Sequence, residues 1–273
     1  MKIGDKEITR LIVGSNPFTG KSHLTESVDA DMREYFTEEQ AFAMLKRCEE
    51  AGINAVQSRG SMPVMGLLAR YHAAGGKMYW LAQSGKNLTT FDEELQEMMK
   101  YNPAAVCIHG ELADDLYLTG NLDKLGSLLD KIRQKNVPAG ICAHFPEVLS
   151  YSEDAGLHPD YYMASLYNLS QPDRSQDVNP TGERFEDSDI PRMYRVIRQL
   201  SAPTFALKIL GAGRRCASQE QVRHAFAEAF VSMKPGDGVL VGMFDKYIDQ
   251  PRLNAQYTLE AIRLAEKQTE PQM

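Results

Sequence analysis

The chain carries one tryptophan and four cysteines in 273 residues. Cys48, Cys107, Cys142 and Cys216 lie far apart, with no Cys-x-x-Cys pair and no Cys/His zinc spacing, so reduced thiols are expected and a disulfide scaffold is excluded. Long apolar runs are missing too: they end after about five or six residues, against the ~18 that a membrane span needs. The opening residues MKIGDKEITR hold no signal-peptide core, and the cytoplasm is the expected location. Basic charge is in the minority, 30 Lys+Arg against 37 Asp+Glu for a net charge of −7, and the densest basic cluster is Arg214-Arg215. A nucleic-acid partner is therefore set aside in favour of a small molecule. A glycine-rich dinucleotide fingerprint is also lacking, because the first turn reads Gly14-Ser15-Asn16-Pro17-Phe18-Thr19-Gly20, with proline and bulky groups where glycines are needed.

What is present is an ordinary globular balance, 43% hydrophobic and 25% charged, on a chain long enough to bury its own core. Short apolar or β-branched runs alternate with amphipathic runs, the pattern of βα units around a parallel sheet. Strands are predicted at 9–14, 53–56, 78–82, 104–108, 139–143, 161–165, 205–209 and 238–241. Helices are predicted at 37–51, 64–74, 90–100, 122–135, 146–154, 190–200, 218–233 and 253–266, the first opened by a Thr37/Gln40 capping box and stopped by Gly52. Eight such units predict an α/β fold, a single (β/α)8 TIM barrel over 1–273. An open doubly wound sheet is the alternative, though it would normally have fewer units. Residues 171–189 form the one long polar loop, read equally well as a lid over the barrel mouth or as a solvated surface loop.

Barrel sites are built at the C-terminal ends of the strands, which turns the unit count into a set of candidates. Substrate-binding candidates are Asn16 and His23 after the first strand, Gln57 and Arg59 after the second, Gln83 after the third, and Tyr167 and Asn168 after the sixth. His109, Glu111, His144 and Lys208 are the catalytic candidates. Alternate residues of a strand face the interior, so Cys107 and His109 share one phase, Cys142 and His144 another, and the two strands are neighbours. If Glu111 folds back, His109, Glu111 and His144 make a two-histidine, one-carboxylate set suited to zinc, iron or manganese. Lys208 follows an apolar run that favours a Schiff-base or general-base role, an anchor for phosphate or carboxylate beside the backbone N–H groups of Gly211-Ala212-Gly213, or simple snorkelling.

Several segments together resemble the aldo-keto reductase family: Ala51-Gly52-Ile53-Asn54, Ile108-His109, His144-Phe145-Pro146-Glu147, Tyr167-Asn168, the run from Leu207 to Gly213, and Val239-Leu240-Val241-Gly242-Met243. The resemblance spans nearly the whole chain and implies the barrel fold and NADP(H)-dependent carbonyl reduction by an Asp, Tyr, Lys and His tetrad. Of that tetrad only His109 is in place. Gln57 stands at the aspartate position, residues 58–63 lack the tyrosine, and the third strand ends Ala82-Gln83-Ser84, with Lys86 too late for the lysine. The nicotinamide contacts are replaced by Ala143-His144, Ala164 and Leu207. Gly211, Gly213, Gly242, Arg252 and Asn254 are similar to the part of the family pattern that grips the nucleotide's phosphate end.

Three functions follow as expectations. The first is non-redox acid/base chemistry, of lyase, isomerase or hydrolase type, on a small hydroxylated or carboxylated, possibly sugar-like, substrate, with His109 and His144 as acid and base and a divalent metal as an optional aid. The second is an NADP(H) oxidoreductase with a proton relay through His109. The third is a non-catalytic ligand-binding barrel.

Overall fold

The computed structural model describes residues 1–171 and 185–269. Eight parallel strands, β1 (Leu11–Gly14), β2 (Ala55–Arg59), β3 (Tyr79–Gln83), β4 (Ala105–Ile108), β5 (Ala139–Ala143), β6 (Tyr161–Ser165), β7 (Thr204–Leu207) and β8 (Gly238–Gly242), close into a barrel. Consecutive strands are neighbours, and β8 seals the ring against β1 with Val239 opposite Leu11 and Gly242 opposite Gly14. The (β/α)8 barrel predicted from the alternation is thus the fold.

Side chains alternate between two sides of each strand, and the barrel sorts them into two cores. Inside the ring, Ile12, Ala55, Leu81, Cys107, Cys142, Met163 and Phe205 form one buried cluster. Between strands and helices, Val13, Val56, Trp80, Val106, Ile141, Tyr162 and Val239 join the larger one. Trp80 faces this outer layer, where its indole N–H donates to Ser58 Oγ at 2.8 Å, so a group that would be costly to bury unpaired is satisfied.

The helices are α1 (Glu26–Tyr35), α2 (Glu38–Glu50), α3 (Met62–Ala73), α4 (Phe91–Met99), α5 (Gly110–Leu118), α6 (Lys124–Arg133), α7 (Pro146–Asp154), α8 (Asp189–Ile197), α9 (Gln219–Ser232) and α10 (Gln250–Thr269). In α2 the buried residues Ala41, Met44, Leu45 and Cys48 recur at helical spacing and make its core-facing stripe. Only half of its predicted capping box forms: Thr37 Oγ1 accepts from the Gln40 N–H, while the Thr37 N–H donates to Tyr35 O.

Three elements were not expected from sequence. An antiparallel hairpin, Lys2–Ile3 with Lys6–Glu7, closes the N-terminal end of the barrel, and Ile3 and Ile8 complete the inner core there. Helix α1 is mostly polar and buries only Met32, so it carries little periodic signal. Helix α5 opens on glycine directly after β4, in the stretch between the strand predicted at 104–108 and the helix predicted at 122–135. The seventh strand stops at Leu207 rather than 209, because Lys208 adopts a left-handed conformation with φ of 63°. Of the polar loop at 171–189, residues 172–184 lie outside the described residues, so its reading as a lid does too. Among the described residues no helix is long and apolar enough to cross a membrane.

Candidate active site

The C-terminal ends of the strands open into a cavity of about 910 Å³, within the range that small-molecule sites occupy. Asn16, His23, Gln57, Arg59, Gln83, His109, Glu111, His144 and Lys208 all line it, at or beyond the strand ends. Tyr167 and Asn168 do not. Past the end of β6 the two-residue alternation no longer holds, and Tyr167 turns outward to donate to Asp187 Oδ1 at 3.1 Å and to pack on Phe185. Asn168 donates its backbone N–H to Asp189 Oδ2 and accepts from the Ser170 N–H, so it shapes the loop instead of the cavity.

His109 sits between β4 and α5 and acts as the N-cap of that helix, its Nδ1 accepting the Glu111 N–H at 3.1 Å. A ring nitrogen that accepts carries no proton, so the neutral imidazole holds its hydrogen on Nε2. Burial pushes this group from 6.5 down to about 4; Glu111 opposes the shift in part, and the charges of Lys86, His144 and Arg59 add to it. His109 is therefore a neutral N–H donor at physiological pH.

His144, at the end of β5, is held in the opposite tautomer. Its Nδ1 lies 2.6 Å from Oδ2 of Asp114, a fully buried residue of α5. Asp114 Oδ1 accepts the backbone N–H groups of His144 at 3.1 Å and Phe145 at 3.2 Å, and Ser170 Oγ donates to Oδ2 at 2.8 Å. With three donors besides the ring converging on its two oxygens, Asp114 is placed as an acceptor and takes a hydrogen bond from the ring. In its neutral form His144 thus keeps its proton on Nδ1 and carries the lone pair on Nε2. Gly110 makes the approach of α5 to this ring possible: a Cβ there would lie 3.1 Å from His144 Cε1 and 3.2 Å from Cys142 Sγ.

The remaining polar groups form a floor and a rim. Gln57 Nε2 donates to Gln83 Oε1 at 3.1 Å, and Asn16 Nδ2 lies 3.0 Å from His23 Nε2. Lys86 binds Glu111 Oε1 at 2.5 Å; burial favours the neutral acid, but the bond and charge of Lys86 overcome it and hold Glu111 below the usual carboxylate range. Cys142 lines the cavity, and burial pushes its thiol up to about 12. The described lining carries the cations Lys21, Arg59, Lys86 and Lys208 against the single carboxylate Glu111, in a chain whose net charge is −7. The cavity is locally positive.

Two expected binding roles do not match this geometry. Glu111 is taken up by Lys86 and does not join the histidines, and among the described residues no set of three or more His, Cys, Asp or Glu is placed to hold a metal ion. The N–H groups of Gly211, Gly213, Arg214, Arg215 and Cys216 all donate to chain carbonyls, so the turn expected to cradle a phosphate has largely spent its donors. Of the nucleotide-gripping set, Gly213, Gly242 and Asn254 line the cavity, whereas Gly211 does not and Arg252 is paired with Asp249 outside it. Among the described residues the two-histidine, one-carboxylate set is thus not assembled, and the expected nucleotide set reaches the cavity in part.

Asp114 and Ser170 are the site residues that sequence reasoning missed. The available signal was an acid among the apolar residues Leu112, Ala113 and Leu116 of a segment long enough for a helix.

The fold is a (β/α)8 TIM barrel with a cavity at the C-terminal ends of its strands. No protein-family model and no curated protein matches the sequence. Among solved structures, the chain is similar to an aldo-keto reductase from Bacillus halodurans at 11% identity, with a TM-score of 0.59 over 98% of this chain and 95% of that one. It is similar to a truncated 3-deoxy-D-arabino-heptulosonate 7-phosphate synthase from Thermotoga maritima at 15% identity, with a TM-score of 0.57 over 98% and 92%. The N-acetylmannosamine-6-phosphate 2-epimerase from Clostridium perfringens matches at 13%, with a TM-score of 0.53 over 93% of each chain. These likenesses establish the shared fold, and the aldo-keto reductases are not singled out by them.

Proposed function

We propose that the protein catalyses proton transfer at a carbon next to a carbonyl in a small, anionic, hydroxylated substrate, as isomerases, epimerases and aldol-type lyases do. The observation that carries this reading is the pair of imidazoles on neighbouring strands fixed in opposite tautomers. His144 Nε2 offers a lone pair and takes the proton from carbon. The electrons of that C–H bond form a C=C bond, and the carbonyl π electrons move to oxygen. His109 Nε2–H, neutral because burial holds it so, donates a hydrogen bond to that oxygen as its charge grows. Asp114 stabilises the imidazolium that His144 becomes. Gln57, Gln83 and Asn16 supply hydroxyl contacts, and the positive lining attracts negative charge.

Among the similar solved barrels are an epimerase and a synthase whose names carry phosphorylated sugars, which agrees with a substrate of this polarity. The proposal rests on the histidines and not on that likeness.

The test is solvent exchange. The protein is incubated in D2O with phosphorylated ketoses, aldoses and short oxo acids, and loss of the C–H signal beside the carbonyl is followed by proton NMR. Exchange with at least one compound is expected, abolished by His144→Gln and slowed about 10²-fold by His109→Asn. No exchange with any compound class overturns the reading.

A further inference from the structure

Arg59 is the last residue of β2 and shares the inward phase of Ala55 and Gln57. Its side chain is 46% exposed at the cavity wall, and among the described residues its ion-pair partner is Glu94 Oε1 at 3.6 Å, beyond hydrogen-bond distance. Glu94 Oε1 instead accepts from Thr90 Oγ1 at 2.9 Å. The guanidinium therefore lines the cavity without a hydrogen bond to any described side chain, its long ion pair with Glu94 leaving donors of the planar fork available. Lys86, the cation on the next loop, is already tied to Glu111.

Strand register fixes where Arg59 acts. Arg59 lies opposite Gln83 on β3, Gln83 lies opposite Cys107 on β4, and His109 follows Cys107 by two residues in the same phase. One strand thus separates Arg59 from His109, roughly 10 Å between strand axes, and both residues line the same cavity as Gln83. Helix α3, which begins after Arg59, offers no cup of backbone donors there: Pro63 lies in its first turn, and the N–H groups of Val64 and Met65 donate to Ser61 O. A tetrahedral phosphate would find few partners at this point. A planar carboxylate needs two parallel donors, and the arginine fork supplies them.

We propose that Arg59 binds a carboxylate attached directly to the carbonyl carbon that His109 polarises, so that the substrate is a 2-oxo acid and His144 removes a proton from its C3. The assignment rests on the proton-transfer reading above and specifies its substrate class. In the step, His144 Nε2 takes the C3 proton, the C3–H electrons become the C2=C3 bond, and the C2 carbonyl electrons move to the oxygen that accepts from His109. The carboxylate stays on Arg59 throughout, and return of a proton to C3 regenerates the 2-oxo acid.

Oxamate, an isostere of pyruvate with no exchangeable C–H, is the binding probe, with affinities read by calorimetry. Wild-type protein is expected to bind it, Arg59→Met to weaken binding about ten- to hundredfold, and Arg59→Lys to fall between, because an ammonium keeps the charge but loses the fork. His144→Gln is expected to hold oxamate within about threefold of wild type while losing C3 exchange of 2-oxobutyrate in D2O, since the base contacts the proton and not the carboxylate. Unfolding midpoints of the variants report any loss of fold. Wild-type binding of oxamate undiminished by Arg59→Met overturns the assignment. Exchange of a phosphorylated ketose without oxamate binding also overturns it, yet leaves the proton-transfer reading standing; absence of exchange with every substrate removes both.

Discussion

Asp114 Oδ2 lies 2.6 Å from His144 Nδ1, and the same carboxylate takes the backbone N–H of His144 through its other oxygen. Helix α5 thereby sets the ring and the strand end that carries it with a single side chain. Replacing it with asparagine keeps the shape and changes the protons. In Asp114→Asn an amide N–H faces Nδ1, which must then accept, and the ring proton moves to Nε2 where the base lone pair is needed. Exchange activity is expected to drop on the order of 10³–10⁴-fold. Asp114→Ala, which leaves two buried backbone N–H groups unpaired, is expected to cost about 2–4 kcal/mol in denaturant unfolding.

His109 predicts a pH dependence of stability. Its folded value of about 4 lies below the ordinary 6.5, so between these the unfolded chain binds more protons than the folded one. Stability from this group is fully present above pH 6.5 and is lost as pH falls toward 4, by up to about 3 kcal/mol. His109→Asn keeps a good N-cap and removes the titration. Urea unfolding of both proteins across pH 4–7 checks the expectation: the difference between them should flatten above pH 6.5 and shrink the wild-type slope below it.

Ser170 donates to Asp114 from the loop after β6, a positioning contact and not one with substrate. Ser170→Ala is expected to lower exchange about tenfold with a stability change within about 1 kcal/mol. Equal activity in this variant would show that the three remaining donors suffice to hold the carboxylate.

Thiol labelling separates the cysteines by burial. Cys48, Cys107 and Cys142 are buried and Cys216 is exposed. Burial also raises the Cys48 and Cys142 thiols to about 12, which leaves almost no thiolate at neutral pH. An aromatic disulfide reagent should titrate one thiol quickly in the native protein and four after denaturation. Fast loss of a second thiol would contradict the packing around Cys142.

Much of the fold is written in local pattern. The strands at Ala139–Ala143 and Tyr161–Ser165 and the helix Pro146–Asp154 fall where the apolar runs and Pro146 place them. Strand parity places His109 and His144, and strand-end position places Gln57 and Gln83, in one cavity, because neither signal needs knowledge of distant contacts. Helix α5 escaped because it opens on glycine and is capped by a histidine, neither a usual start signal. With it went Asp114, whose partner is 30 residues away along the chain, and the expectation that Glu111 would turn to the histidines rather than to Lys86. Tyr167 was misplaced because alternation ends with the strand, and the chain beyond β6 follows its bonds to Asp187 and Asp189 instead.

The central claim is that two neighbouring imidazoles are fixed by their hydrogen bonds in opposite tautomers. Nitrogen-15 NMR of histidine-labelled protein at pH 7, assigned with His109→Asn and His144→Gln, reads this directly from the ring nitrogens. The account predicts His109 protonated at Nε2 with Nδ1 bare, and His144 protonated at Nδ1 with Nε2 bare. A charged His109, or the same tautomer in both rings, would contradict it.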